Sequence, residues 1–132
     1  MKSVGGESLQ VLRVYNESVE YEDHPLPGHV TSHRSDLVRS DRSLSSVSLH
    51  HLVRVGDSEA AQTIRSIDQR VSRHDDVTSH DVELYRAAVK EREQELLTTA
   101  DVILCTCVTS AAARIASTTN IMQVLLSVCL FF

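Results

Sequence analysis

Four groups of residues carry side chains able to do chemistry. Cys105-Thr106-Cys107 is a C-x-C, His24, His29 and His33 crowd one segment, His50 and His51 are adjacent, and carboxylates gather at Asp75-Asp76 and along Glu91, Glu93 and Glu95. Zinc needs four ligands, and no second Cys/His pair follows the C-x-C, so the thiols read as small buried residues at a strand end. His24, His29 and His33 share a Pro- and Gly-containing stretch with no Cys and read as solvated loop histidines. His50-His51-Leu52-Val53-Arg54 sets imidazoles beside a guanidinium, with Leu49, Leu52 and Val53 to anchor it. Phosphate contact is one reading there, and an ordinary anchored segment is the other. Catalytic carboxylates need a pocket that drives their pKa values apart. The acidic groups fall on a polar link and a helix's polar face, which reads as solvated surface.

Nucleotide chemistry fails a stricter test. A phosphate-cradling loop needs Gly-x-x-x-x-Gly-Lys followed by Ser or Thr. The glycines are Gly5, Gly6, Gly28 and Gly56, the lysines are Lys2 and Lys90, and no Gly directly precedes a Lys. No Gly-x-Ser-x-Gly occurs, and no Asp-Glu pair closes a strand to hold magnesium. Autonomous ATPase activity is excluded on these grounds, and a serine-hydrolase elbow has no support.

The remaining composition describes the frame. The chain has 132 residues, 42% hydrophobic but only 4% aromatic, so its core falls to Val, Leu, Ile and Ala. A net charge of -5 argues against a strongly basic nucleic-acid binder. Arg outnumbers Lys by 11 to 2, however, which leaves room for a local phosphate-contacting patch. Three cysteines without framework spacing predict reduced thiols and an intracellular setting, cytoplasmic or nuclear. The N-terminus shows no signal peptide. The apolar stretch Ile121 to Phe132 is too short to span a bilayer, so no membrane partner is expected.

Periodicity predicts the elements. A strand is expected over Val11 to Tyr15, buried on much of both faces, followed by the acids Glu17, Glu20, Glu22 and Asp23 and a Pro25-to-Gly28 stop. His29 to Ser48 reads as a polar loop with one broken turn. Asp57-Ser58 caps a helix from Glu59 to about Arg73, with Ala60, Ile64, Ile67 and Val71 on one face. Thr78 and Asp81 form a capping-box-like pair opening a helix to about Thr98, with Val82, Tyr85, Val89 and Leu96 as its apolar stripe. The two make an antiparallel hairpin. Ala100 to Cys107 reads as a parallel strand buried on both sides, Ser110 to Ala116 as helix-compatible, and Ile121 to Leu126 as a second strand.

Several of these segments together resemble a family. Ser79-His80-Asp81, Leu84-Tyr85-Arg86-Ala87, Glu95-Leu96-Leu97, Ala100-Asp101-Val102-Ile103, Cys105-Thr106-Cys107-Val108 and Arg114-Ile115-Ala116 stand in the order found in Upf-like superfamily 1 RNA helicases, especially the helicase-with-zinc-finger proteins. Leu12-Arg13-Val14-Tyr15 and Leu49-His50-His51 resemble the same proteins. The resemblance implies an α/β fold: an incomplete RecA-like parallel sheet with an inserted antiparallel helical hairpin. Residues 1–132 would form part of the first RecA-like domain. Within it, about 29–98 would be a helical accessory insertion, 100–126 strand-helix-strand, and 127–132 a divergent apolar tail. It further implies RNA as partner together with the remaining helicase domains, and Thr106, Cys107, Thr109 and Ser110 as the RNA-facing residues. ATP and magnesium belong to the parent hydrolase, with no cofactor and no catalytic residue in this chain.

The family continues into Asp-Glu after the strand matching Gln123 to Leu126, where Ser127 and Val128 stand here. A carboxylate is required to hold magnesium at that place. The expectation is therefore a helicase fragment, from a partial or mis-spliced gene model, that is inactive alone. A non-enzymatic module binding a protein through the hairpin's apolar stripe is the alternative, and a nonfunctional truncated product the third.

Overall fold

In the computed structural model, the residues described are 8–26, 39–106, 109 and 113–116. Cys107, Ser110, the expected strand Ile121–Leu126 and the 127–132 tail lie outside them.

Alternation places Leu12 and Val14 in the core from strand β1 (Val11–Arg13) and its extension. Its other face is half-covered, with the Arg13 guanidinium over the Tyr15 ring at 4.9 Å. β1 pairs in parallel with β2 (Val102–Leu104), in the register Val11↔Val102, Leu12↔Ile103 and Arg13↔Leu104. The pair is closed at one end by Asp101, whose carboxylate accepts from the Gln10 amide at 2.8 Å, and at the other by the Val14 amide donating to the Leu104 carbonyl. Val102 and Ile103 are half-buried and Leu104 is 48% exposed, so β2 is not buried on both sides. The apolar run overstates its burial because, among the described residues, the sheet has two strands and nothing pairs with the far edge of β2.

The acidic stretch folds as helix α1 (Glu17–Asp23), which the sequence reading did not anticipate. Asn16 caps it by accepting from the Val19 amide at 3.0 Å, and Glu17 and Glu20 in the first turn suit the positive end of the helix dipole. The polar loop yields a 3₁₀ turn (Arg42–Val47) and one turn of helix, α2 (Leu49–Leu52). Leu49 and Val53 are fully buried there, and Ser48 touches β1 opposite Arg13.

The hairpin forms where its caps predict it. Ser58 accepts from the Ala61 amide to open α3 (Glu59–Ser72), which buries Ala60, Ala61, Ile64 and Ile67. His74, in left-handed backbone with φ 57°, ends it, the Asp75 amide reaching back to the Arg70 carbonyl. Thr78 and Asp81 then form a reciprocal capping box opening α4 (Ser79–Thr99). The Arg70 guanidinium and the Thr78 amide both bond the Asp81 carboxylate and hold it down to about pKa 2. Thr78→Ala should cost about 1 kcal/mol, read as a lowered urea midpoint at unchanged slope.

The two helices run antiparallel. Arg70 at the end of α3 meets Asp81 at the start of α4, while Arg92 in the second half of α4 reaches the Val55 carbonyl ahead of α3. Tyr85, Ala88 and Leu97 are the buried residues of α4, with Val82, Val89 and Leu96 half-buried beside them. A short helix, α5 (Ala113–Ala116), sets Ile115 into the same core. The described residues thus mix helix and strand, mostly helix around two parallel strands. None of the described helices is long and apolar enough to cross a membrane.

Candidate functional site

Three groups of polar side chains lie around this core. The first surrounds the C-terminal ends of the parallel strands, the edge where open α/β sheets usually place ligands. Thr106 follows β2 and is exposed; its Oγ1 accepts from the Thr109 amide at 3.2 Å and lies 2.9 Å from the Thr109 hydroxyl. Thr109 is 5% exposed, so of the two threonines Thr106 presents its side chain to solvent. Of the four residues expected to face RNA, these two come together in one turn.

At the end of β1, Arg114 of α5 donates to the Tyr15 carbonyl at 2.8 Å. Its guanidinium also forks onto both oxygens of Glu20 from α1, at 2.9 and 3.0 Å, and reaches Glu93 of α4 at 2.8 Å. Glu93 is therefore not solvated surface, as its exposed neighbours Glu91 and Glu95 are, but part of a largely buried ion cluster. Burial pushes the Glu20 carboxyl up to about 7 against the pull of Arg114, and raises Glu93 as well. One guanidinium faces two desolvated carboxylates, so the cluster favours holding a proton. Arg114 is spent on carboxylates and does not serve as a phosphate contact. The sequence hinted at the burial of each member but not at their pairing: Glu93 follows Tyr85 and Val89 at helical spacing, and Arg114 stands alone among small apolar residues.

The second group sits under the hairpin. Arg54 donates to Asp68 at 2.6 Å, to the His50 carbonyl and to the Tyr85 hydroxyl, which itself donates to Asp68 at 3.0 Å. Burial, with Asp68 alongside, raises the Tyr85 phenol well above its ordinary range, so it remains a donor. Arg54 thus ties α2 to both helices of the hairpin and is occupied within the protein.

The third group was invisible as a unit in the sequence. Asp23 and His24, at the end of α1, meet His50 and His51 of α2. His50 Nε2 lies 2.7 Å from Asp23 Oδ2, His51 Nε2 lies 3.6 Å from the same oxygen, and His24 Nε2 is 3.2 Å from His51 Nδ1. Ser40 donates to that same Asp23 oxygen. His24 is therefore not a solvated loop histidine; burial drives its pKa down to about 4. Burial also lowers His50 and His51, outweighing the nearby Asp23 carboxylate. Asp23 loses solvent too, but the hydrogen bonds from Ser40 and His50 hold it below the usual carboxylate range. An open depression of about 420 Å³, lined by Asp23, His24, Pro25, Asp68, Gln69, Val71 and Ser72, adjoins the cluster. At the C-x-C, Cys105 is half-buried.

No family model matches the chain, and no solved structure matches it. It is 31% identical over 122 residues to the 3'-5' exoribonuclease HELZ2 of Mus musculus, a stretch that covers 89% of this chain and 4% of that protein. To the 3'-5' exoribonuclease HELZ2 of Homo sapiens it is 32% identical over 113 residues, covering 81% of this chain and again 4% of that protein. The chain spans about 4% of the length of these curated relatives. The likeness to HELZ2 over most of this sequence gives weak support to a helicase-related relationship.

Proposed function

We propose that this segment is a non-catalytic piece of a helicase-like, RNA-handling protein of the superfamily 1 type, working inside the cell. It would contribute two adjacent strands of an incomplete RecA-like sheet, the helical hairpin carried between them, and part of an RNA-contacting surface. The observation that carries this reading is the likeness to HELZ2 over 122 residues, which covers 89% of this chain. Thr106, Cys107, Thr109 and Ser110, which follow β2 in the sequence, are the proposed RNA-facing residues. The exposed Thr106 hydroxyl at the strand's end suits a phosphate or sugar contact, whereas Thr109 is buried and would need to be uncovered to make one.

ATP and magnesium would act elsewhere in the parent protein, because the residues present do not fit them. Gly56, the glycine among the described residues, lies in the turn between α2 and α3, where a Cβ would meet the Arg92 guanidinium at 3.9 Å. Cys105 and Thr106 follow β2, with no carboxylate pair there to hold a metal-bound phosphate. The alternative, a module gripping a protein through the hairpin's apolar stripe, loses support from the burial of Ile64, Ile67, Tyr85 and Leu97 within this chain.

Fluorescence anisotropy with a labelled single-stranded RNA tests the reading. Weak binding should fall steeply with added salt, as phosphate contacts require, and Thr106→Asp should weaken it several-fold. The purified chain should hydrolyse no ATP above background. Salt-insensitive binding, or binding that Thr106→Asp leaves unchanged, would remove the RNA surface from this edge.

A further inference from the structure

We infer that Asp23, His50 and His51 form a binding site for a first-row divalent cation of the zinc class, with His24 orienting His51 from behind. The site lies apart from the strand-end turn and is independent of RNA binding.

The geometry carries the inference. One oxygen of Asp23 and one nitrogen from each of His50 and His51 all lie within 4.8 Å of one another. Zinc bonds imidazole nitrogen and carboxylate oxygen at about 2.0–2.2 Å, which separates tetrahedral ligand atoms by roughly 3.4 Å. The separations of 2.7 and 3.6 Å from Asp23 to the two imidazoles bracket that distance. Two imidazoles and a carboxylate are also the donor set that such a metal takes when it keeps a further position open.

Hydrogen bonding alone leaves the arrangement incompletely explained. Asp23 Oδ2 already receives Ser40 and His50, yet His51 Nε2 approaches the same atom from beyond hydrogen-bond range. The two rings crowd each other at 4.0 Å between centroids, tilted by 37°. His50 is 4% exposed, so the pair is largely shielded from water. A cation between the rings and the carboxylate would replace the proton that now lies between His50 Nε2 and Asp23, and would engage the His51 nitrogen as well.

The surroundings suit it. With His51 binding through Nε2, its Nδ1–H donates to His24, the kind of outer contact that fixes a ligand's tautomer. Arg54, the nearby cation, is neutralised by Asp68. Asp23 and His24 line the open depression, which gives a metal a route in and leaves room for water as a further ligand.

The test uses the full 132-residue chain, stripped with a chelator and titrated with Zn²⁺ alone. One equivalent should bind by calorimetry, and melting should rise by roughly 5–10 °C at a hundredfold excess over Kd. Co²⁺ in place of zinc should give the visible absorption of a low-symmetry four-coordinate ion. Asp23→Asn and His51→Ala should each weaken binding at least about tenfold, whereas His80→Ala, on an exposed residue of α4, should not. The absence of a melting shift, or zinc binding unchanged in both Asp23→Asn and His51→Ala, would overturn the site. Should one variant fail to fold by circular dichroism, the other and the wild-type cobalt spectrum decide, a six-coordinate aquo-like spectrum counting against it.

Discussion

Arg114→Met should lower the stability of the fold by roughly 3–5 kcal/mol at pH 8, measured by urea unfolding. The loss arises less from the missing pair than from what it strands: two desolvated carboxylates, Glu20 and Glu93, with no guanidinium between them. α5 would also lose its tie to the Tyr15 carbonyl. The loss should shrink toward pH 5, because protonation relieves the stranded charges. The same cluster gives the intact protein a pH signature. Burial raises Glu20 from 4.5 to about 7 in the folded state, so its contribution is fully present below about pH 4.5 and is lost as pH rises through about 7. The buried imidazoles oppose it: His24, lowered from 6.5 to about 4, contributes stability above pH 6.5 that is lost as pH falls through about 4. Because the two effects overlap, the difference between Glu20→Gln and wild type isolates the carboxyl. The variant should be more stable by on the order of 2 kcal/mol at pH 8 and indistinguishable near pH 4.5. Parallel profiles across that range would show that Glu20 is not the titrating group.

Arg54→Leu is expected to cost about 3 kcal/mol, because it leaves Asp68 half-buried without its cation and frees the turn from α2 into the hairpin. Asp68→Leu alone should cost a comparable amount for the converse reason. The informative variant combines Arg54→Leu, Asp68→Leu and Tyr85→Phe. Removing the three side chains of the network together leaves no stranded charge or hydroxyl, so the triple variant should be more stable than Arg54→Leu by at least about 1 kcal/mol. Losses that simply add would mean that the three groups do not act as one network.

The hairpin was legible in the sequence because local chemistry alone specifies it. Ser58 and the Thr78–Asp81 pair mark the starts, and Ile64, Ile67, Tyr85 and Val89 repeat at helical spacing. α1 was hidden because seven residues with one buried apolar side chain, Val19, carry no period; its evident determinants are the Asn16 cap and acids at the favourable end. The polar clusters were hidden for a different reason. Asp23 and His50 stand 27 positions apart, and Arg114 and Glu20 94 apart, and no local pattern announces which distant charges a fold will oppose. Chemistry read from spacing along the chain finds sites built within one element. Those assembled from several elements appear only when the elements are placed.

The pairing of β1 with β2 sets an order of events during synthesis. The earlier strand leaves the ribosome with its edge unsatisfied, and its partner lies 91 positions downstream, as the Gln10–Asp101 contact at the end of the pair measures. At typical elongation rates that delay is roughly 5–20 s, while a helical hairpin can close within microseconds to milliseconds of emergence. The helices therefore assemble first as a scaffold onto which the sheet must later be zipped. Throughout the interval Leu12 and Val14 form a sticky, incomplete ribbon, which is the moment at which a nascent-chain chaperone would matter most.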